Sequence, residues 1–258
     1  MRILISGASG LIGSALRPTL VSAGHTTAAL VRRPAEGDQV QWDPVSVLDP
    51  RRLQGFDAIV HLAGKNIAGV WSDKFRRKVR QSRVQGTRTL ATAAAEAFRQ
   101  TGGPRIFVVA SATGYYGNRG DEELTEASPP GQGFLAEVCQ EWENAAIPAA
   151  QAGVRVVRIR IGVVLAKHGG ALPAMLLPFR LGLGGRVGDG RQYMSWVTLD
   201  DVVGTFLLAL ANDAMSGPVN AVAPQAVRNA EFVRELGRAI HRPAFFPLPA
   251  LVVRALFG

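Results

Sequence analysis

Twelve residues near the start, from Arg2 to Gly13 (RILISGASGLIG), restrict the fold more than any other part of the chain. Arg2 to Ser6 reads as a short buried strand. Gly7, Gly10 and Gly13 follow at a spacing of three. From Ile12 the apolar residues take helical intervals: Ile12, Leu16 and Leu20, with Ala15 and Val21 beside them. A strand that runs through a glycine turn into a helix gives a glycine triplet a mechanism. Gly7 permits a sharp turn. Gly10 lets backbone N–H groups approach a pyrophosphate, with Ser9, Leu11 and Ile12 in the same phosphate-facing turn. Gly13 lets the helix lie close to the strand. The helix N-terminus then presents its positive dipole end to the phosphates.

Further apolar runs occupy Thr27–Val31, Asp57–Ala63, Arg105–Ala110 and Val154–Val164, with helical stretches between them. Near-continuous apolar strands alternating with helices predict an α/β fold: a Rossmann-type, doubly wound parallel sheet covered on both faces. The chain has 258 residues, 47% of them hydrophobic, which is enough for a large core. Composition shifts after Leu165, and residues 169–191 hold seven glycines and two prolines. The expected division is a nucleotide-binding domain over residues 1–165 and a smaller C-terminal substrate lobe over residues 166–258. The lobe would lie over the carboxyl ends of the strands, where doubly wound sheets bind ligands. A helix over Leu199–Ala211, with Asp200 as N-cap, is expected to pack back on the first domain. Asn229 is expected to cap a helix through Ile240. The Pro-rich end (Pro243, Pro247, Pro249) reads as helical to Phe257.

Cys139 is the sole cysteine, so no intramolecular disulfide can form, and a reducing cytoplasm is the natural compartment. His25, His61, His168 and His241 are far apart in sequence, and no pair has metal-ligand spacing, so no metal site is expected. The net charge of +9 favours acidic ligands such as nucleotides. No nucleic-acid motif or interleaved aromatic stack accompanies the arginines, so nucleic acid is not an expected partner. Val202–Ala211 is the longest apolar run, about half the ~20 residues that span a bilayer, and no membrane partner is expected. The oligomeric state is not legible.

Two positions bear on the choice of cofactor. The second strand ends Leu30-Val31-Arg32-Arg33-Pro34, with no acidic residue before Glu36. An Asp or Glu there would bond the ribose 2′-hydroxyl of NAD; Arg32 and Arg33 suit the 2′-phosphate of NADP. The second position is Arg83. The stripe Phe75, Val79, Leu90, Ala94, Ala97 places Arg83 on the buried face of the long helix over residues 72–100. A guanidinium there needs a partner, either a cofactor phosphate or an internal carboxylate. Arg76, Arg77, Lys78 and Arg80 read as solvated.

At this point the residues resemble a family. The segments SGASGLIG (6–13), HLAG (61–64), SATGYYG (111–117), FLAEVCQEWE (134–143), LLPFRLGLGG (176–185), GRQYMSWVTLDD (190–201) and PVNAVAP (218–224) are similar to extended short-chain dehydrogenase/reductases. More narrowly, they resemble the epimerase-like, NADP-dependent oxidoreductases once labelled cell-division inhibitor proteins. The resemblance spans the whole chain. It implies NADP(H) along Gly7–Gly13 and Arg32, with contacts at Leu62, Ala63, Gly64 and Arg83. It also implies members longer than this chain by several tens of residues beyond Gly258, so that the final lobe is incomplete here. Most extended members carry Asn at the Arg83 position.

Typical members pass a proton through a Tyr, with a Lys four residues later that lowers its pKa and holds the nicotinamide ribose. The matching segment here, Gly133 to Cys139, has neither residue. Phe134, Val138 and Trp142 read as a core stripe. Ser111 and Tyr115 are the remaining candidates for the proton step, while Tyr116 matches a structural Tyr. Cys139 reads as a buried, inert thiol. The resemblance also points to residues 180–196 for substrate, with Arg180 and Arg191 (and nearby Arg186) for an anionic group and Ser195 and Trp196 for a pocket wall. The expected function is an NADP(H)-binding oxidoreductase acting on a small molecule. A non-catalytic NADP(H)-binding redox sensor is the alternative, and a nucleotide-sugar epimerase a weaker one.

Overall fold

The computed structural model describes residues 1–246; the expected helix to Phe257, with Pro247 and Pro249, lies outside them. The first half of the sheet contains β1 (Arg2–Ser6), α1 (Leu11–Ser22), β2 (Thr26–Val31) and a short β3 (Gln39–Gln41). The second contains β4 (Ala58–His61), α2 (Asp73–Thr101), β5 (Ile106–Ala112), α3 (Phe134–Asn144), α4 (Ile147–Gln151) and β6 (Arg155–Ile161). Beyond it come β7 (Val163–Ala166), β8 (Gly169–Gly170), α5 (Leu172–Arg180), β9 (Tyr193–Met194) and β10 (Trp196–Thr198). The described chain closes with α6 (Leu199–Ala211), β11 (Gly217–Ala221), β12 (Val227–Arg228) and α7 (Asn229–Ala239).

Seven strands form one parallel sheet in the order β11-β6-β5-β4-β1-β2-β3. The chain leaves β1 toward β2 on one side and returns to β4 on the other. Right-handed crossovers in opposite directions put α1 and α2 on opposite faces. Accordingly α1 packs with α6, and α2 packs with α3 and α4. The fold is Rossmann-like. The order reverses between β1 and β4, and there the carboxyl ends of the strands leave a crevice. The core lies on both faces, with Ile3, Leu4, Ile5, Ile59, Val60, Phe107, Val108 and Ile159 inaccessible or nearly so.

Four local readings change. The run Val154–Val164 is two strands, because the chain changes sheet at Gly162. Its N–H donates to Ala221 O (3.0 Å), and a side chain there would lie 2.3 Å from Ser195 O. β7 then pairs with β10 in a second sheet. β11, from the segment assigned to the smaller lobe, joins the main sheet beside β6. Thr198, not Asp200, caps α6: its hydroxyl accepts from Asp201 N–H (3.1 Å) and donates to the Asp201 carboxylate (2.7 Å). Asn229 is the first residue of α7 rather than its cap, and its Oδ1 accepts from Val187 N–H (2.8 Å), tying down the preceding loop.

A buried polar knot joins the second half of the sheet to α3. Arg160 on β6 and Glu143 on α3, each 3% exposed, form a two-pronged pair at 2.8 and 3.0 Å. Ser111 donates to Glu143 Oε1 (2.8 Å). Arg160 Nη1 donates to Tyr116 Oη (2.9 Å), and Tyr116 donates to Asn220 Oδ1 on β11 (2.7 Å). Burial opposes the Arg160 charge, but Glu143 and Tyr116 reverse that effect and hold the guanidinium's pKa above its ordinary value. Removing one partner leaves the other charge buried. Glu143→Ala should therefore cost about 3–5 kcal/mol, read as a lowered urea midpoint with unchanged slope. A loss below about 1 kcal/mol would show that the pair is not dry.

Candidate functional site

The crevice at the switch point is built by close approach of three backbone segments. Gly7, at φ +69°, sits where a side chain would lie 2.9 Å from Ala63 N and Leu62 C. A Cβ on Gly13 would be 2.3 Å from Gly7 O and 2.8 Å from Ala8 Cα. These two glycines are demanded by the protein's own packing. Gly10 differs: at φ −76° its Cβ would meet only Gly7 O, at 3.3 Å. Gly10 is also the N-cap of α1, and no side chain caps it. The first turn of α1 contains no acidic residue. Leu11, Ile12 and Gly13 therefore begin a helix whose N-terminal N–H groups have no capping side chain, an arrangement that suits an anion. Ser9 and Gly10 are exposed and Leu11 and Ile12 half-buried along this edge.

Ser6 fixes the opposite wall. Its Oγ accepts from Leu62 N–H (3.1 Å) and Ala63 N–H (3.2 Å). With those lone pairs used, its own proton goes to His61 Nδ1, 2.6 Å away. His61 is fully buried beside the Trp42 and Phe107 rings, and its Nε2 has no partner. Burial pushes its pKa down from 6.5 to about 4. The sign follows: the unfolded chain binds the proton more readily, so stability is full above pH 6.5 and falls as pH drops toward 4. The loss is about 3 kcal/mol at 1.36 kcal/mol per unit. Urea unfolding between pH 7 and 4 should show this slope, and His61→Asn, which can still accept from Ser6, should flatten it.

Arg32 and Arg33 stand exposed at the end of β2, and neither makes an ion pair among the described residues. Arg83 lies on the inner side of α2, half-buried. Its Nη1 donates to Lys65 O (2.9 Å), its guanidinium carbon is 5.1 Å from the Trp142 ring, and a Cβ on Gly64 would be 3.5 Å from it. No carboxylate pairs with it among the described residues. Burial lowers its pKa. Sequence reasoning thus found the face of Arg83, but its protein partners are two carbonyls, of Lys65 and Val79, and an indole. Cys139 is nearby, and burial, then the Glu143 charge, push its thiol up to about 11.

Of the two residues expected to handle a proton, Ser111 has its hydroxyl engaged and Tyr115 makes a contact through its ring. Ser111 is bound to Glu143, and the Tyr115 ring lies under Arg160, with the guanidinium carbon 3.5 Å from its centroid. Ser111 belongs to the buried knot, and the half-buried Tyr115 stacks against it. In the segment Gly133–Cys139, which carries no Tyr or Lys, Phe134 is half-buried, Leu135 exposed, and Val138 and Cys139 buried. The expected substrate residues lie on several elements. Arg180 ends α5 and Arg191 precedes β9, both exposed. Ser195 and Trp196 follow β9 at the second sheet, where Ser195 O accepts from Val163 N–H (2.7 Å).

One cavity escaped the sequence. Trp71, Arg76, Gly114, Gln132, Phe134 and Leu135 line about 400 Å³ between the N-terminal ends of α2 and α3. Arg76 is not simply solvated, and Phe134 is half-buried rather than in the core beside Val138 and Trp142. The aromatic spacing of Trp71 and Phe75 was the available signal.

A parallel sheet with a glycine-cradled helix N-terminus at its switch point defines a Rossmann protein of the nucleotide-binding kind. The chain belongs to the NAD dependent epimerase/dehydratase family, whose model matches residues 3–222. It is 47% identical to an epimerase family protein of Mycobacterium bovis over 99% of this chain and 84% of that protein. The crystal structure of human epimerase family protein SDR39U1 (isoform 2) with NADPH superposes with a TM-score of 0.89 at 38% identity, covering 100% of this chain and 86% of that one. A nucleoside-diphosphate sugar epimerase from Corynebacterium glutamicum gives 0.82 at 38% identity, covering 98% of this chain and 54% of that one. Among the described residues, no cluster of side chains could hold a metal ion, and no helix is long and apolar enough to cross a membrane.

Proposed function

We propose that this protein binds NADP(H) and acts as an oxidoreductase on a small molecule. The observation that carries the cofactor is the pairing of the glycine cradle with two arginines at the end of β2 that form no ion pair among the described residues. The uncapped α1 N-terminus receives the pyrophosphate, Leu62, Ala63 and Gly64 form the facing wall, and Arg32 and Arg33 take the 2′-phosphate. The human relative crystallised with NADPH supports the same choice. NADP(H), when bound, supplies hydride transfer. The protein's part is to orient the cofactor and exclude water, with the half-buried Arg83 a fixed positive charge beside the groove.

One observation favours a second reading, a non-catalytic NADP(H)-binding protein. Ser111 is engaged in the buried knot, and the segment Gly133–Cys139 carries no Tyr or Lys. Loading the protein with NADPH and adding fractionated extract separates the two. Protein-dependent loss of the reduced nicotinamide signal with one fraction supports the enzyme; tight NADPH binding without loss in any fraction supports the sensor.

The cradle itself is tested by substitution. Arg32→Ala should weaken NADPH by about tenfold to a hundredfold, the worth of charge-assisted bonds, and leave NADH nearly unchanged. Equal losses for both would defeat the 2′-phosphate assignment. Gly10→Val should abolish NADPH binding with the thermal midpoint little changed. Gly13→Ala should instead lower the midpoint, because its methyl meets backbone at 2.3 Å.

A further inference from the structure

We infer that the cavity between α2 and α3 binds a planar, conjugated or aromatic ligand bearing an anionic group, and that this is the substrate class of the neighbouring groove. The inference rests on the assignment of that groove to the dinucleotide. Three observations converge.

The first is an aromatic wall. Trp71 and Phe134 meet edge to face at 5.9 Å, and Phe75 supports Trp71 from behind at 5.5 Å. Neither Trp71 nor Phe134 is buried by the protein, so the wall has surface left for a flat ligand. Edge-to-face pairs of this kind hold ring orientation and favour further rings over flexible chains.

The second is a charge without a counter-ion. Arg76 and Arg80 both approach the Phe134 ring, at 5.6 and 5.3 Å. They differ in what neutralises them. Arg80 pairs with Glu137 (3.0 Å) and Glu141 (3.3 Å). Arg76 lines the cavity and pairs with no carboxylate among the described residues, and its Nε is buried without a hydrogen-bond partner. A half-buried guanidinium without a carboxylate partner, beside an aromatic wall, fits a carboxylate carried by a ring or a conjugated chain.

The third is position. Gly114 lines the cavity two residues beyond β5, and a Cβ on it would lie 3.7 Å from both Cys139 Sγ and Leu135 Cβ. The loop from β4 carries Leu62, Ala63 and Gly64 in the groove and then reaches Trp71 in the cavity. The cavity therefore opens at the carboxyl ends of β4 and β5, beside the switch point. Arg180, Arg191, Ser195 and Trp196 do not line it.

The test is calorimetric titration with trans-cinnamate, its neutral analogue cinnamamide, and hexanoate, into free and NADPH-loaded protein. Cinnamate should bind tightest. Arg76→Gln should weaken cinnamate at least about tenfold and leave cinnamamide unchanged, while Arg76→Lys should keep most of the affinity. Phe134→Ala should weaken cinnamate and cinnamamide together. NADPH affinity should be the same in all three variants. The inference is overturned if hexanoate matches cinnamate, if Arg76→Gln has no effect, or if cinnamate fails to bind while NADPH binds. Failure of NADPH itself would defeat the groove assignment alone, since the titrations of free protein judge the cavity separately.

Discussion

Everything at the switch point depends on one close contact: α1 can begin beside β1 only because Gly13 brings its backbone against Gly7 and Ala8. A single methyl at Gly13 would need the space of Gly7 O. That contact aims the uncapped end of α1 at the crevice. Ser6 extends the arrangement to β4 by accepting two N–H groups of the facing loop. The buried His61 then accepts the Ser6 proton and leaves its other nitrogen unpaired in an apolar niche. A groove for an anion is thus assembled mainly from backbone, held by one serine, one histidine and two glycines.

The far half of the sheet uses side chains where the near half uses backbone. Glu143 and Arg160 carry opposite charges into the interior, which is tolerable only because Ser111, Tyr116 and Asn220 complete their hydrogen bonds. This knot ties β5, β6, β11 and α3 together below the groove. It also engages the Ser111 hydroxyl and lays Arg160 over the Tyr115 ring. The nucleotide-binding crevice of a Rossmann fold thus lies beside this knot, and two cations, Arg83 and Arg76, stand on α2 where it borders the crevice.

Much of this was legible in the sequence. The first strand, the glycine turn and the buried face of Arg83 follow from local spacing, and local spacing survives folding. What stayed hidden depended on distant partners. β11 contains Gly217, Pro218 and Asn220, too few apolar residues to read as a strand; its place at the edge of the sheet is what tolerates the proline. Gly162 divides the Val154–Val164 run, which reads as one strand, because Ser195 crosses it. Thr198 outcompetes Asp200 as a cap by one turn geometry that composition does not distinguish. Arg76 and Phe134 lie on two helices whose starts are about sixty residues apart, with Trp71 on the loop just before the first, and no periodicity links them.

The central claim is that this groove selects the phosphorylated dinucleotide, and it is tested most directly by titrating the unaltered protein with NADPH and NADH side by side. The account predicts NADPH binding tighter by at least about tenfold, or 1.4 kcal/mol. Indistinguishable affinities, or no binding of either, would contradict it.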